Sequence, residues 1–409
     1  MDSQSKPAAG RSANEVVREA AACKKREDWE ALGKLADEIP EVPTPSWLDA
    51  LDSIAFGLGK LGHWEQARRV AEAAFALEPT AWRASAIAYF HYDALFAHKG
   101  RQVRLDEPEV WRRGFEGWTG EALRLNPESI VDWYRLGQYY ASILSAKDVK
   151  ALECFRGVFR LWRRISEGEQ NSSNRNFKNY IRSLYGAARS AYRLKRYDEA
   201  RGWIFDCIRQ DRERNHMDSV FKYFAAGRVL AAQGSLVDAE RALRLALEGK
   251  YNGDRDFVYG LLAEVALRQG RIGDAVDWIA GNVRPHRRKS YLWRLLGEAE
   301  EKRGNTREAL AHYRSSLLKD RMGRHKTLLK MGQIHEGRGD FVQARRSYDE
   351  ASSFRAKKFQ REDGDALQAL ARLCERMNDL EGARRALRRM SQLPFLTVHA
   401  EKELLRISA

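Results

Sequence analysis

Residues 293–313, WRLLGEAEEKRGNTREALAHY, decide the fold. Trp293, Leu296 and Gly297 fall at helical spacing, Gly304 breaks the period, and Asn305 opens a second amphipathic run. Within that run Ala309 comes five residues after the glycine. The same distance separates Gly62 from Ala67, Lys195 from Ala200, Gly234 from Ala239 and Gly270 from Ala275. It recurs from Gly339 to Ala344 and from Asn378 to Ala383. All of these turn residues except Lys195 are Gly or Asn, which enter the left-handed region at little cost. From Ala239 onward the alanines are spaced by 36, 34, 35 and 39 residues, so one helical hairpin is being repeated. A lone hairpin cannot bury its apolar face, and stacked neighbours must supply the core.

The composition of each hairpin agrees. Leu184, Ala187, Ala188 and Ala191 make one apolar face over 181–194. Small residues (Ala188, Gly227, Ala263, Gly297, Gly332 and Ala371) let two helices approach closely, and enlarging one should cost about 1–3 kcal/mol. Ser235, Asn305, Asp340 and Asp379 follow the turn residues and are expected to cap the second helices.

These residues resemble the tetratricopeptide repeat, a helix–turn–helix unit with Trp, Leu-Gly and Tyr on its first helix. Trp293-x-x-Leu296-Gly297 with Gly304, Ala309 and Tyr313 matches that pattern. So do Met331-Gly332, Gly339, Ala344, Tyr348 and Ala351, and earlier Gly62, Ala67, Ala74 and Pro79. Arg196-Tyr197-Asp198-Glu199-Ala200 marks a fourth unit, and Trp133, Leu136, Gly137 and Tyr140 mark the third. The resemblance covers some 340 of 409 residues. It implies an all-α, right-handed α-solenoid of about nine helix-turn-helix repeats closed by a C-terminal capping helix. Residues 1–12 are expected to be a disordered tail and 13–46 a divergent helical pair. Units one to three fall in 48–165, with an insertion near 97–111. A polar connection over 166–180 precedes units four to nine in 181–397, and the capping helix takes 398–409.

Composition bounds the setting. Cys23, Cys154, Cys207 and Cys374 are far apart, with no zinc or disulfide spacing, and Cys207 and Cys374 fall on packing faces. The first residues carry no secretory pattern, and no apolar run is long enough for a membrane span, so the expected location is cytoplasmic. Residues 1–130 hold 17 Lys and Arg against 21 Asp and Glu, a net of −4. Residues 131–409 hold 55 against 36, a net of +19, which suits an anionic partner for that portion. Arginine outnumbers lysine 52 to 20, a bias that a GC-rich genome also produces.

No catalytic pattern stands out. Gly57-Leu58-Gly59-Lys60-Leu61-Gly62 has dinucleotide-loop spacing, but an amphipathic helix precedes it and Gly62 is a repeat turn. His91 and His98 lack further ligands for a metal. The expectation is a non-enzymatic protein without cofactor or metal.

Two surfaces are candidates for partners. In repeats of this family the first helices line a concave groove, which places Arg182, Tyr185, Arg189 and Tyr192 there from the fourth unit. Tyr134 and Gln138, Phe221, Phe224 and Arg228, and Phe257 and Glu264 come from its neighbours. Aromatics alternating with arginines suit an acidic or aromatic peptide, and equally single-stranded nucleic acid. The Lys/Asn carboxylate clamp of the family's chaperone-binding members is not found. The second surface is an edge of inter-unit loops. Arg284, Arg287, Arg288 and Lys289 are followed by Lys319, Arg321, Arg324 and Lys326, then by Arg355, Lys357, Lys358 and Arg361. Only Asp320 stands against them in those segments, so a polyanion or acidic partner surface is expected there. The resulting expectation is a scaffold or adaptor for a partner protein segment with acidic character, with RNA or DNA binding as the alternative. Oligomeric state is left open.

Overall fold

A computed structural model describes residues 11–144, 147–172 and 174–407. Residues 1–10 of the expected tail and 408–409 of the expected cap lie outside the described residues. The expected tail does not extend through residue 12: the Ser12 amide and hydroxyl both reach Glu15 at 2.8 Å and open the first helix.

Among the described residues every regular element is helical, and the chain is an all-α repeat of helical hairpins. Helices α1 (Ala13–Lys25) and α2 (Trp29–Lys34) form the divergent pair. Four hairpins follow: α3 (Leu48–Lys60) with α4 (Trp64–Leu77), and α5 (Ala81–Lys99) with α6 (Pro108–Leu125). Then come α7 (Ile130–Gln138) with α8 (Asp148–Arg164) and, after the short α9 (Glu167–Ser172), α10 (Asn174–Arg193) with α11 (Tyr197–Gln210). Beyond them α12 (Ser219–Ala232) precedes α13 (Leu236–Glu248), and α14 (Asp256–Arg268) precedes α15 (Ile272–Ala280). Helices α16 (Ser290–Lys302), α17 (Thr306–Lys319), α18 (Arg324–Gly337) and α19 (Phe341–Phe359) continue the alternation. The last pair, α20 (Gly364–Arg376) and α21 (Leu380–Ser391), is closed by α22 (Thr397–Arg406). The chain divides into two compact bodies, Met1–Val229 and Leu230–Ala409, the division falling within α12.

The repeat logic is visible in the turns and the core. Gly62, Gly234, Gly270, Gly304 and Gly339 have φ between 76° and 86°, and Lys195 and Asn378 stand at 60° and 58°. All seven expected turn residues are therefore left-handed, Lys195 without a glycine's freedom. The alanine five residues on is buried in every unit, at 1% exposure or less. Close approach is enforced by Gly332, where an added Cβ would stand 2.4 Å from Tyr348. Gly57 and Gly59 of the phosphate-loop look-alike serve packing too, since a Cβ on Gly59 would stand 2.4 Å from the Phe90 ring.

Capping follows the side chain's reach. Asp340 accepts from the Gln343 amide at 3.2 Å and Asp379 from Gly382 at 2.7 Å. Ser235 and Asn305 make no such bond; the Asn305 amide turns back to Glu300 at 2.7 Å. Of the connection expected at 166–180, residues 167–172 and 174–180 are helical. Tyr180 of α10 stacks on Trp162 at 4.9 Å and is buried there. The insertion expected near 97–111, within unit two, leaves α5 at Lys99, crosses a loop and enters α6 at Pro108, with Leu105 donating its amide to His98 Nδ1 at 2.9 Å.

Candidate functional site

In the body ending at Val229, the first helices α3, α5, α7, α10 and α12 carry an alternation of cations and rings on one face. Helices α3, α5, α7 and α10 each pack against their own partner, and α10 also packs on α7. The positions beside that packing face are therefore the ones left over for a ligand. Helix α7 brings the half-buried Tyr134, whose phenol is pushed up by burial with Arg182 of α10 opposing. One turn along α10, Arg189 lies 5.7 Å from the Tyr185 ring. Arg228 of α12 sits 4.1 Å over Tyr192 and 6.0 Å from Phe224. Burial holds the Arg228 guanidinium below its ordinary value, with Tyr192 and Tyr185 opposing the shift and Arg189 adding to it. Gln138 sits beside Gly186, where a Cβ would stand 3.1 Å from its amide nitrogen. Tyr185, Arg189, Tyr192, Phe224 and Arg228 thus line one small hollow, Arg182 neighbours Tyr134, and Gln138 lies at the packing of α7 on α10.

The alternation extends further than the sequence reading placed it. Arg135 lies 4.7 Å over Tyr89 and Arg83 lies 4.9 Å over Trp82. Lys24 and Lys60 flank Phe56 at 5.5 and 5.2 Å. These groups line a recess of about 880 Å³ that also takes in Arg175 and Lys178. Trp82 keeps 53% of its surface exposed and Phe56 41%, although both are large apolar groups. Two carboxylates hold the floor, Asp52 half-buried and Asp132 buried. Asp52 accepts from Arg83 at 3.0 Å, and Asp132 accepts from Ser85 at 2.6 Å and Ser129 at 2.5 Å. Burial pushes Asp52 up, with Arg83 opposing. Carrying the register of Tyr134 and Tyr185 back into units one and two is the signal that finds Tyr89 and Phe56.

A buried ion pair positions the last rung. Lys222, at the start of α12, donates from Nζ to Asp211 Oδ2 at 2.8 Å and to the Asp211 carbonyl at 3.1 Å. The same carboxylate accepts the His216 and Met217 amides at 2.7 and 2.9 Å, so it shapes the loop that sets α12. His91 is a further buried titratable group of this body. It packs 5.1 Å from Trp111, neither ring nitrogen has a partner among the described residues, and burial pushes it down to about 4.

The basic edge belongs to the other body, and its twelve cations divide in two. Arg288 is only 8% exposed, donates to the Val283 carbonyl at 2.9 Å and stacks 4.9 Å over Trp293. Lys319 donates to the His286 and Arg288 carbonyls at 2.9 and 3.1 Å, tying the first cluster to the second. Arg324 bonds Leu317 O at 3.0 Å and Glu350 at 3.1 Å. Arg355 pairs with buried Asp363 at 3.1 Å, Arg287 pairs with Asp254, and Arg361 lies 5.7 Å over Phe395. The exposed set that remains, Arg284, Lys289, Arg321, Lys326, Lys357 and Lys358, makes no salt bridge among the described residues. Phe257 and Glu264 also fall in this body, where Glu264 lines a hollow of about 680 Å³ with Arg268, Arg294, Glu298 and Lys330.

No group of three or more His, Cys, Asp or Glu side chains is arranged to hold a metal among the described residues. No helix among them is long and apolar enough to cross a membrane. All four cysteines are free and buried, and burial pushes Cys207 up to about 12.

Left-handed turns, buried alanines and a variable first-helix face define a helical-repeat scaffold. The tetratricopeptide repeat family model matches residues 258–280, within α14 and α15, and helical hairpins of the same form recur through the described residues. Among solved structures it is similar to yeast Tom70, at 12% identity and a TM-score of 0.43, over 97% of this chain and 95% of that one. It is also similar to Naa15/Naa10 bound to HypK-THB, at 15% identity and 0.47, over 99% of this chain and 71% of that one. A tetratricopeptide repeat protein from Parabacteroides merdae gives 12% and 0.42, over 75% and 98%. Likenesses of this order say nothing about partner or role. No curated protein matches the sequence.

Proposed function

We propose that the chain acts without catalysis as an adaptor, holding an extended segment of a partner protein along the first-helix face of residues 11–229. The observation that carries this reading is the run of cations laid over rings from Phe56 to Phe224. A guanidinium seated on a ring has already lost its rotamer freedom, so its outer N–H groups meet a carboxylate at reduced entropic cost. The exposed faces of Trp82 and Phe56 take apolar side chains, as interface anchors do. Lys24, Lys60, Arg175 and Lys178 around the recess favour a segment of acidic character. Tetratricopeptide scaffolds commonly mediate protein–protein interaction, which supports the same reading. The exposed half of the basic edge serves a second contact with an acidic surface, and four buried thiols suit a reducing, cytoplasmic setting.

Those six unpaired edge cations also favour a second reading, in which the edge and the ringed arginines bind RNA or DNA. One experiment separates the two. The intact chain is used at low salt to capture partners from native lysate, with and without nuclease, beside an Arg228→Met variant. The adaptor reading expects the same protein bands in both halves, weakened about tenfold by the variant through loss of some 1–2 kcal/mol of ring-seated charge. Bands that vanish with nuclease give the site to nucleic acid.

A further inference from the structure

Helix α22 covers the last hairpin with one side only. Ala400 is fully buried, and Leu404 and Ile407 pack on the apolar cluster that holds Leu387, Met390 and Leu393. The flanks of α22 are tied to the same body. Gln368 meets His399 at 3.1 Å, and Arg406 bonds Glu403 at 2.8 Å and Glu375 at 2.6 Å. The helix is thereby fixed in rotation, with the side opposite Ala400 turned to solvent. That side carries Val398, 81% exposed, and Leu405, 74% exposed, which lie two turns apart on one stripe. A capping element of a repeat array ordinarily shows a polar outer face, which keeps it in solution. Between the two apolar residues stand Glu401 and Lys402, both exposed, about 50° to either side of the stripe's midline. Neither makes a salt bridge among the described residues. No cation stands three or four positions from Glu401, and no carboxylate three or four positions from Lys402. Neighbouring charges do pair at such spacing, Glu403 with Arg406 and Glu381 with Arg384.

We propose that this stripe binds a second copy of the chain, the two α22 helices lying side by side and parallel about a two-fold axis. Val398 then meets Val398 of the second copy, and Leu405 meets its Leu405. The charges select the direction. A two-fold axis running along parallel helices carries one flank of the first copy to the opposite flank of the second. Glu401 therefore faces Lys402 of the second copy on both sides of the apolar seam. Antiparallel helices would instead set Glu401 against Glu401 and Lys402 against Lys402. Two like copies need such self-complementarity, and the order apolar, acidic, basic, apolar along one stripe supplies it. Because the stripe lies opposite the side that packs on α21, the α20–α21 hairpins of the two copies stand on opposite sides of the seam. One helix from each copy buries less than a standard interface, so half-dimerisation is expected at about 10–100 µM.

Sedimentation equilibrium of the intact chain at low ionic strength, from about 5 to 300 µM, tests the pairing. The expected result is a monomer–dimer equilibrium that the Val398→Glu, Leu405→Glu double variant abolishes. Glu401→Lys alone and Lys402→Glu alone should each weaken association about tenfold, because like charges then meet on both flanks. The exchange variant, Glu401→Lys with Lys402→Glu, should return association to within about threefold of wild type, since opposite charges face each other again. All four residues are exposed, and rescue by the exchange separates a lost contact from a lost fold. A chain that stays monomeric across the whole range overturns the inference. So does a dimer that survives Val398→Glu, Leu405→Glu, which would place the interface elsewhere. A dimer that the exchange weakens as much as the single variants do, or that none of the charge variants weakens, overturns the parallel pairing and the inference with it.

Discussion

The two bodies use one repeat and leave different residues on their first helices. In residues 11–229 cations sit on rings: Arg228 on Tyr192 and Arg189 on Tyr185 make no salt bridge among the described residues, while Arg135 on Tyr89 and Arg83 on Trp82 also pair with Asp132 and Asp52. In residues 230–407 the corresponding helices put charge against charge, with Arg294 near Glu298 at 4.0 Å and Lys330 near Glu301 at 3.9 Å. A cation beside a carboxylate is largely satisfied before any ligand arrives, whereas one on a ring keeps its hydrogen-bonding edge available. The packing positions of the repeat do not set this difference. It lies in the neighbouring positions, which each hairpin is free to vary.

The comparison breaks most sharply at Lys222. Lys222→Met strands the fully buried Asp211 carboxylate, and stability should fall by about 3–5 kcal/mol in urea unfolding. The Lys222→Met, Asp211→Leu pair should recover much of that loss. A single variant within about 1 kcal/mol of wild type would show that the pair does not set α12.

Acid should also find the first body. The folded pKa of His91, about 4, lies below its ordinary value of 6.5, so the unfolded chain takes up the proton first. The stability this gives is whole above pH 6.5 and is lost as pH falls toward 4, up to about 3 kcal/mol. Unfolding midpoints followed across that range should show a shallower slope in His91→Leu than in wild type. Parallel slopes would place the acid sensitivity elsewhere.

Smaller effects sharpen the contrast. Lys195 holds a left-handed turn that five other units give to glycine, so Lys195→Gly should raise stability by about 0.5–1 kcal/mol by thermal unfolding. No gain would mean that the turn relaxes around lysine. At the edge, Arg321→Glu, Lys326→Glu and Lys357→Glu together should change stability by less than about 0.5 kcal/mol, because these cations make no salt bridge. Binding to an acidic partner should lose much of its salt dependence in that variant. A variant containing Arg324 would confuse the two readouts, since Arg324 also ties Leu317 and Glu350.

How much of this was legible in the sequence varies with the kind of residue. The turn positions and the buried alanines could be read because each hairpin solves one local packing problem, and the solution recurs at a fixed distance. Helical register, together with the first-helix groove that the family resemblance implies, nominates Tyr134, Tyr185, Arg189 and Arg228. The sequence did not separate Arg288, which is buried under Trp293, from Lys289, which is exposed beside it. Adjacent residues in a short loop have no periodicity to divide them. Nor did it show that residues 174–180 are helical, with Tyr180 stacked on Trp162.

By itself, then, the sequence determined the repeat, its turns, its core alanines and the first-helix register, all set by interactions within one hairpin or with the next. Tertiary structure alone decided which cations are spent and which remain. Arg193 is held by Asp148 and Lys319 by the carbonyls of residues 286 and 288, partners 45 and 33 or fewer positions away. A charge's availability depends on what the fold brings within about 4 Å of it, and that is a property of the stack.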